Sequence, residues 1–310
     1  MKFAIIGLGG TNTFSRKIEK ALKKLGHSVY LLTTNELKNR YCPSKFKLEY
    51  HIYQKNPMDL REILPVENYD MIIISHSDLV FNNPKKSSTK VLYFHREMRC
   101  YPSCMNPDIL AFNHPAHDPF VWHYYPKLYN SGVKINLPYA VDPEEFNAHR
   151  EKDLTGLNYV SVFEDVMNES RDYMWNYMFK HFLSREKKFT KKGCRFNGGR
   201  YIGFKEYKDF LERSEAFLVF ASPGIFGTRR MFEIAACKSL PVIHIESEVA
   251  REYYNDIGFE HLENCVMFHN FTPKTINYDN YKEMVNNAYN LVLENHTYDH
   301  RAKEILDVLN

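Results

Sequence analysis

The sequence has no apolar run approaching the ~18 residues of a membrane-spanning helix, and none is expected. Its six cysteines, at positions 42, 100, 104, 194, 237 and 265, are too sparse for a disulfide scaffold. Cys237 and Cys265 sit inside apolar runs and read as buried free thiols. Charge of one sign is also lacking: 41 Lys plus Arg stand against 38 Asp plus Glu, which excludes a protein that coats nucleic acid. The one local basic cluster, Lys187, Lys188, Lys191 and Lys192, reads as a solvated helix end. The opening MKFAIIGLGG stops at glycines after a short apolar run, too short for a signal sequence, and reads as a first strand. A soluble, cytoplasmic protein is the expectation.

What is present suits an ordinary globular chain. Its 310 residues correspond to about two domains. The 44% hydrophobic and 25% charged residues exclude wholesale disorder. Short apolar runs without alternation recur at Lys2–Gly7, Asp70–His76, Lys90–Glu97 and Ile109–His114, as parallel strands buried on both faces require. Strands are also expected at Ser28–Thr33, Glu49–Gln54 and Val133–Pro138, with a helix from about Thr13 to Leu25 that Gly26 stops. Pro138–Asn158 is rich in Pro and charge and reads as a linker. After it the alternation resumes, with strands at Tyr159–Phe163, Cys194–Asn197, Ala216–Ser222, Pro241–Glu246 and Cys265–Asn270. Helices are expected at Glu169–Glu186, Lys205–Arg213, Arg229–Lys238, Glu248–Gly258, Tyr278–Leu293 and Thr297–Leu309. The pattern predicts an α/β fold of two Rossmann-like, doubly wound domains facing a cleft. The expected boundaries are 1–143, 144–295 and a C-terminal helix at 296–310 that crosses back to the first domain.

Two stretches carry chemistry. Gly7, Gly9 and Gly10 follow the first strand and precede a helix, where backbone N–H groups can approach an anion. The dinucleotide fingerprint is not met, because Asn12 stands at its third glycine and Thr33 and Thr34 end the second strand where an acid would grip a ribose. The second stretch, Phe217–Ile245, reads strand, glycine-containing loop, helix, strand. Arg230 and Glu233 share a face of that helix near its N-terminus, where Arg can meet a diphosphate and Glu a pair of ribose hydroxyls. Ala235 and Ala236 let the helix lie close to the sheet. A surface helix with an Arg/Glu pair is the plainer alternative.

This second stretch resembles the nucleotide-sugar segment of group 1 GT-B glycosyltransferases. Phe226-Gly227 stands in the loop, and Glu233 to Val242 follows the family's E-A-x-A-C-G-x-P-V run. The spore-maturation-type (CgeB-like) subgroup is closer still, through Arg230-Met231-Phe232-Glu233 and Ala236-Cys237. PYAVDPEEF, from Pro138 to Phe146, is similar to the hinge motif P-x-G-V-D-x-x-x-F, and Glu294–Leu306 resembles the subgroup's terminal H-T-Y-x-x-R-A helix. Ile225 replaces the first Glu of the family's paired-glutamate motif, and Lys238 replaces the usual Gly after Cys.

The resemblance implies transfer of a sugar from a nucleoside diphosphate donor, UDP-sugar first, without an obligatory metal or other cofactor. It implies a diphosphate contact at Arg230, with Arg229 and Arg171 as further candidates, and a ribose contact at Glu233. Gly227 and Thr228 would line the donor, with Tyr201 and Ile202 near the base and Gly9, Gly10 and Thr11 approaching from the first domain. On the acceptor side His95 and Glu97 end a strand and are the candidate catalytic pair. The acceptor itself is open: a glycan, a small molecule or a nucleic-acid base. Cys100, Cys104, His114 and His117 are zinc-ligand types, but their spacing fits no common finger and a structural zinc is disfavoured. A catalytically inactive sugar-nucleotide-binding protein and an NAD(P)-dependent oxidoreductase stand as alternatives.

Overall fold

The computed structural model describes residues 1–10, 13–41, 57–75, 80–83, 87–95, 104–113, 132–147, 150–158, 204–220, 229–245, 248–268 and 280–309. The chain divides into two units, Met1–Pro138 with Tyr298–Asn310, and Tyr139–Thr297. The first begins with β1 (Lys2–Gly7), α1 (Phe14–Lys24), β2 (Ser28–Thr33) and α2 (Thr34–Tyr41). It continues with β3 (Met58–Asp59), β4 (Met71–Ile74), β5 (Phe81–Asn82), β6 (Lys90–His95), β7 (Cys104–Met105), β8 (Ile109–Phe112) and β9 (Val133–Asn136). The second holds β10 (Leu154–Asn158), α3 (Phe204–Arg213), β11 (Ser214–Phe220) and α4 (Arg229–Ala236). It ends with β12 (Leu240–His244), α5 (Glu248–Asp256), β13 (Val266–Phe268) and α6 (Tyr281–Asn295), after which α7 (Tyr298–Asp307) rejoins the first unit.

In the first unit six strands form a parallel sheet in the order β2-β1-β4-β6-β8-β9. The apolar runs found in the sequence are its interior: Ile5, Ile6, Ile72, Ile73, Leu92 and Leu110 are fully buried. The edge strands β2 and β9 are the more polar SVYLLT and VKIN and lie partly open to solvent. The order reverses at β1, which has β2 on one side and β4 on the other. Such a switch point is where open α/β sheets hold ligands, outside the carboxyl ends of the strands. Gly7 ends β1 there because nothing larger fits: a Cβ would stand 2.0 Å from Ser15 Oγ and 2.2 Å from Ser75 Oγ. Those two buried hydroxyls hydrogen-bond to each other at 2.7 Å.

Helix α1 buries Phe14, Ile18, Ala21 and Leu22, a helical stripe, against this sheet. Phe14 stacks on Phe94 of β6 at 4.1 Å, and Tyr298 of α7 lies 6.3 Å from Phe14. Lys24 of α1 forms an ion pair with Asp299 of α7. Helix α2, which has no clean apolar period, is set by a capping box. The Glu36 N–H donates to Thr33 Oγ1 at 3.3 Å, and Glu36 Oε2 accepts from the Thr33 N–H at 2.8 Å. Strands β3, β5 and β7, two residues each, make a small parallel sheet that no sequence pattern announces.

In the second unit β10-β11-β12-β13 form a parallel sheet in sequential order, with α4 and α5 as crossovers. Strand β10 corrects the expectation of a linker through Asn158: Leu154 pairs with Ser214 and Leu157 with Ala216, with a register slip between them at a stretch containing Gly156. The expected strands at Glu49–Gln54, Tyr159–Phe163 and Cys194–Asn197 and the helix Glu169–Glu186 lie outside the described residues.

Three helices end alike. After α1, α4 and α5 the chain turns through a left-handed residue, Gly26 (φ +86°), Lys238 (φ +51°) and Gly258 (φ +84°). Each turn makes the paired backbone bonds of a Schellman motif; at α4 they run from Lys238 N–H to Ala235 O and from Ser239 N–H to Ile234 O. The resembling family's glycine after Cys thus has a backbone reason, and this chain carries a lysine in that conformation.

Candidate functional site

Helix α4 is not a surface helix. Met231, Phe232, Ile234, Ala235 and Ala236 are fully buried, between strands β11 and β12 and helix α6. The small Ala235 and Ala236 permit that close approach. Within this apolar setting Glu233 is only 3% exposed. A carboxylate so placed must be paired. Arg229, one turn earlier, donates from Nε to Glu233 Oε1 at 2.6 Å. The hydroxyl of Tyr207, from α3, donates to Glu233 Oε2 at 2.7 Å. Tyr207 is half-buried as a residue, and burial first, then the Glu233 carboxylate, pushes its phenol ionisation well above the usual range. Arg230, half-buried, is close enough to act on Tyr207 electrostatically in the opposite sense.

The structure therefore brings together Arg229, Arg230 and Glu233 and adds Tyr207, which sequence reasoning missed. Tyr207 has the helical spacing of a core aromatic with Phe210 and Leu211, and nothing local marks its hydroxyl as a partner for a residue 26 positions on. The ionic partner of Glu233 is Arg229 rather than Arg230. Arg229 still presents a side chain 37% exposed, so the pair lies at the rim of the buried layer.

The tail of α4 is fixed from behind. Lys152 Nζ donates to the carbonyls of Glu212 and Cys237, each at 2.6 Å, and lies 3.1 Å from Ser239 Oγ. It thereby ties the carboxyl ends of α3 and α4, where a cation meets the negative end of a helix dipole. Burial lowers its ionisation to about 8. The neighbouring Cys237 thiol is pushed up to about 12 by burial. Cys237 and Cys265 are buried free thiols, as their apolar contexts imply.

The other described candidates lie in the first unit. His95 ends β6, is 1% exposed, and has Nδ1 3.0 Å from the hydroxyl of Tyr93. The glycine loop is folded on its own neighbours: Gly10 O accepts from Thr13 N–H and Thr13 Oγ1, Gly9 O accepts from Arg16 Nε, and a Cβ on Gly9 would stand 2.8 Å from Thr33 Cγ2. Glu97, Thr11, Arg171, Tyr201, Ile202, Gly227 and Thr228 lie outside the described residues, as do Cys100, His114 and His117. Cys104 is buried with its Sγ 3.6 Å from Met105 O. Among the described residues no group of three or more His, Cys, Asp or Glu is placed to hold a metal ion, and no helix is long and apolar enough to cross a membrane.

The family model described as glycosyl transferase-like matches residues 177–307, a span that contains α3 through α7 and hence Tyr207, Arg229, Arg230 and Glu233. Among solved structures, a glycosyltransferase from Rickettsia africae aligns with TM-score 0.60 at 12% identity, covering 99% of this chain and 98% of that one. HepE from Anabaena, in complex with UDP and glucose, aligns with TM-score 0.54 at 11% identity, covering 100% and 99%. The chain has the GT-B fold. This GT-B chain is also similar, with TM-score 0.57 and 9% identity over 99% and 96%, to the N-terminal domain of Candida albicans trehalose-6-phosphate phosphatase. No curated protein matches its sequence. The larger parallel sheet of each unit is the α/β architecture expected from the strand and helix alternation.

Proposed function

We propose that this GT-B protein is a glycosyltransferase, of the spore-maturation type, that moves a sugar from a nucleoside diphosphate donor, UDP-sugar first, to an acceptor hydroxyl or base. The observation that carries the reading is the buried Glu233 beside Arg229 and Arg230 at the start of α4. It lies in the span that the glycosyl transferase-like model matches. HepE, of the same fold, has been crystallised with UDP and glucose, which puts uridine first.

In this reaction the bond between the sugar C1 and the β-phosphate oxygen breaks, and its electron pair leaves on the diphosphate. A bond forms between C1 and the acceptor atom, whose proton passes to a base. Arg230, with Arg229 and Arg171, meets the charge that develops on the leaving diphosphate, helped by the positive end of α4. The carboxylate of Glu233 accepts from the ribose hydroxyls. Gly9, Gly10, Thr11, Gly227 and Thr228 line the donor, and Tyr201 and Ile202 lie near its base. His95 and Glu97 take the acceptor proton. The arginines and helix dipole supply the neutralisation, so no cofactor is assigned.

A thermal-shift panel of UDP-, GDP-, ADP- and TDP-linked sugars with NADH tests this. A ligand at ~100 times its Kd stabilises by about 2.7 kcal/mol, a shift of several degrees. A shift with one sugar nucleotide that Arg230→Ala abolishes is the expected result. No shift with any of them, or one with NADH alone, overturns the proposal. Ile225, at the place of the family's first glutamate, favours one second reading, a protein that binds the donor without turnover. Release of UDP from a bound UDP-sugar separates the two.

A further inference from the structure

The Glu233 carboxylate is useful to a ribose only if it is held at a fixed angle, and an isolated buried carboxylate would not stay ionised. Two donors hold it: Arg229 on Oε1 and Tyr207 on Oε2. They differ in kind. Arg229 is a partly exposed cation on the same helix. Tyr207 is a neutral hydroxyl from another helix, and its phenol keeps its proton throughout the working range.

The ring of Tyr207 is braced in turn. Phe146, 4% exposed, meets it edge-on at 6.5 Å and meets Phe204, one turn earlier on α3, at 5.6 Å. Phe146 is put there by a turn that Asp142 folds: Asp142 Oδ1 accepts from Glu144 N–H, and Asp142 O accepts from the N–H groups of Glu145 and Phe146. The D-x-x-x-F spacing of Asp142 to Phe146 thus has a physical meaning, a turn that sets an aromatic wall behind the tyrosine.

We propose that Tyr207 is a positioning residue for nucleotide recognition: its hydroxyl fixes the Glu233 carboxylate so that the two ribose hydroxyls of the donor are read as a pair. This rests on the reading of Glu233 as the ribose contact. It predicts a discrimination between ribose and 2′-deoxyribose that depends on a residue with no need to touch the sugar.

The test is calorimetric titration of the full chain with UDP and with 2′-deoxy-UDP, and with the GDP and ADP pairs. Wild type is expected to prefer the ribonucleotide. Glu233→Gln should collapse that ratio, and Tyr207→Phe should lower it about three- to tenfold. Tyr207→Phe keeps the ring against Phe146, and its thermal midpoint checks the fold. Tyr207→His, which retains an N–H donor, serves as the second variant and should recover part of the ratio. If Glu233→Gln lowers the ratio while a folded Tyr207→Phe leaves it unchanged, the positioning role is wrong and the ribose contact stands. If wild type binds nucleotide with no ribose preference, or Glu233→Gln leaves the preference intact, the ribose contact itself is wrong. If no nucleotide binds wild type, the transferase reading falls with it.

Discussion

The ammonium of Lys238 lies over the face of Tyr289, 4.6 Å from the ring centre. This contact accompanies a backbone conformation that L-residues avoid, φ +51° at the turn closing α4. The left-handed conformation costs roughly 1–2 kcal/mol for a residue with a Cβ. A cation over an aromatic face returns about 0.5–1 kcal/mol.

The two terms separate by substitution. Lys238→Ala keeps the strain and loses the ring contact, so it should destabilise by about 0.5–1 kcal/mol. Lys238→Gly loses both and should come out about 1 kcal/mol more stable than the alanine variant. Urea unfolding of the three proteins checks the order. An alanine variant as stable as the glycine variant would show that the turn is not under strain.

The Arg229–Glu233 pair should be costly to break from one side only. Removing one partner of a fully buried pair costs about 3–5 kcal/mol, and the exposure of Arg229 reduces this to about 2 kcal/mol for Arg229→Ala. Arg229→Met combined with Glu233→Gln leaves no uncompensated charge and should lose less than the two single changes summed. A double-mutant cycle by chemical denaturation reads the coupling; additive losses would mean that the pair contributes nothing.

Alkaline pH should unfold the protein through its buried thiols. Burial holds Cys237 at about 12 and raises Cys104 and Cys265 further. Unfolded thiols ionise near ~8.5. The folded state therefore keeps protons that the unfolded state releases, and stability falls as pH rises above that value. Each such thiol contributes about 1.4 kcal/mol per pH unit. Lys152 opposes them: its folded ionisation of about 8 lies below the unfolded ~10.4, so its contribution gains with pH between those values. Three thiols outweigh one amine. The thermal midpoint should fall steeply above about pH 9. Cys237→Ala should make the fall shallower; an unchanged slope would contradict the account.

Gly7 and Gly10 should differ sharply, although both belong to one glycine-rich stretch. Gly7→Ala drives a methyl into the Ser15–Ser75 pair and should cost about 1–3 kcal/mol. A Cβ on Gly10 meets only Thr13 Cγ2, at 3.3 Å, and Gly10→Ala should be mild. Equal losses in thermal melts would mean that the close approach at Gly7 is not the reason for the glycine.

The parts of this fold legible in the sequence are those governed by local chemistry. The interior strands β1, β4, β6 and β8 show as apolar runs because both their faces are covered, and α4 shows because its small and apolar residues must fit against a sheet. Glu233 and the arginines before it were visible as residue types at helical spacing. The partner of Glu233 was not, because Tyr207 looks like any core aromatic until α3 and α4 are placed side by side. The strain at Lys238 was equally hidden: the chain departs from the family's glycine there, yet only the backbone angle gives the departure a cost. Strand β10 was missed because it is short, follows the charged Glu151-Lys152-Asp153 and holds Gly156, and β3, β5 and β7 are too short to have a pattern.

The return of α7 to the first unit has a consequence for how the chain comes off the ribosome. Lys24 and Asp299 pair across 275 residues of sequence, and Phe14 waits for Tyr298 over a similar distance. Domains generally fold as they emerge, N-terminal first. Here the first half cannot finish in that order, because its last helix is synthesised after the whole of residues 139–297. The second unit can close while the first still lacks the helix that packs on α1. Completion of the earlier-made half then waits for residues 298–307, and a nascent chain stalled before residue 298 would expose the face that α7 covers.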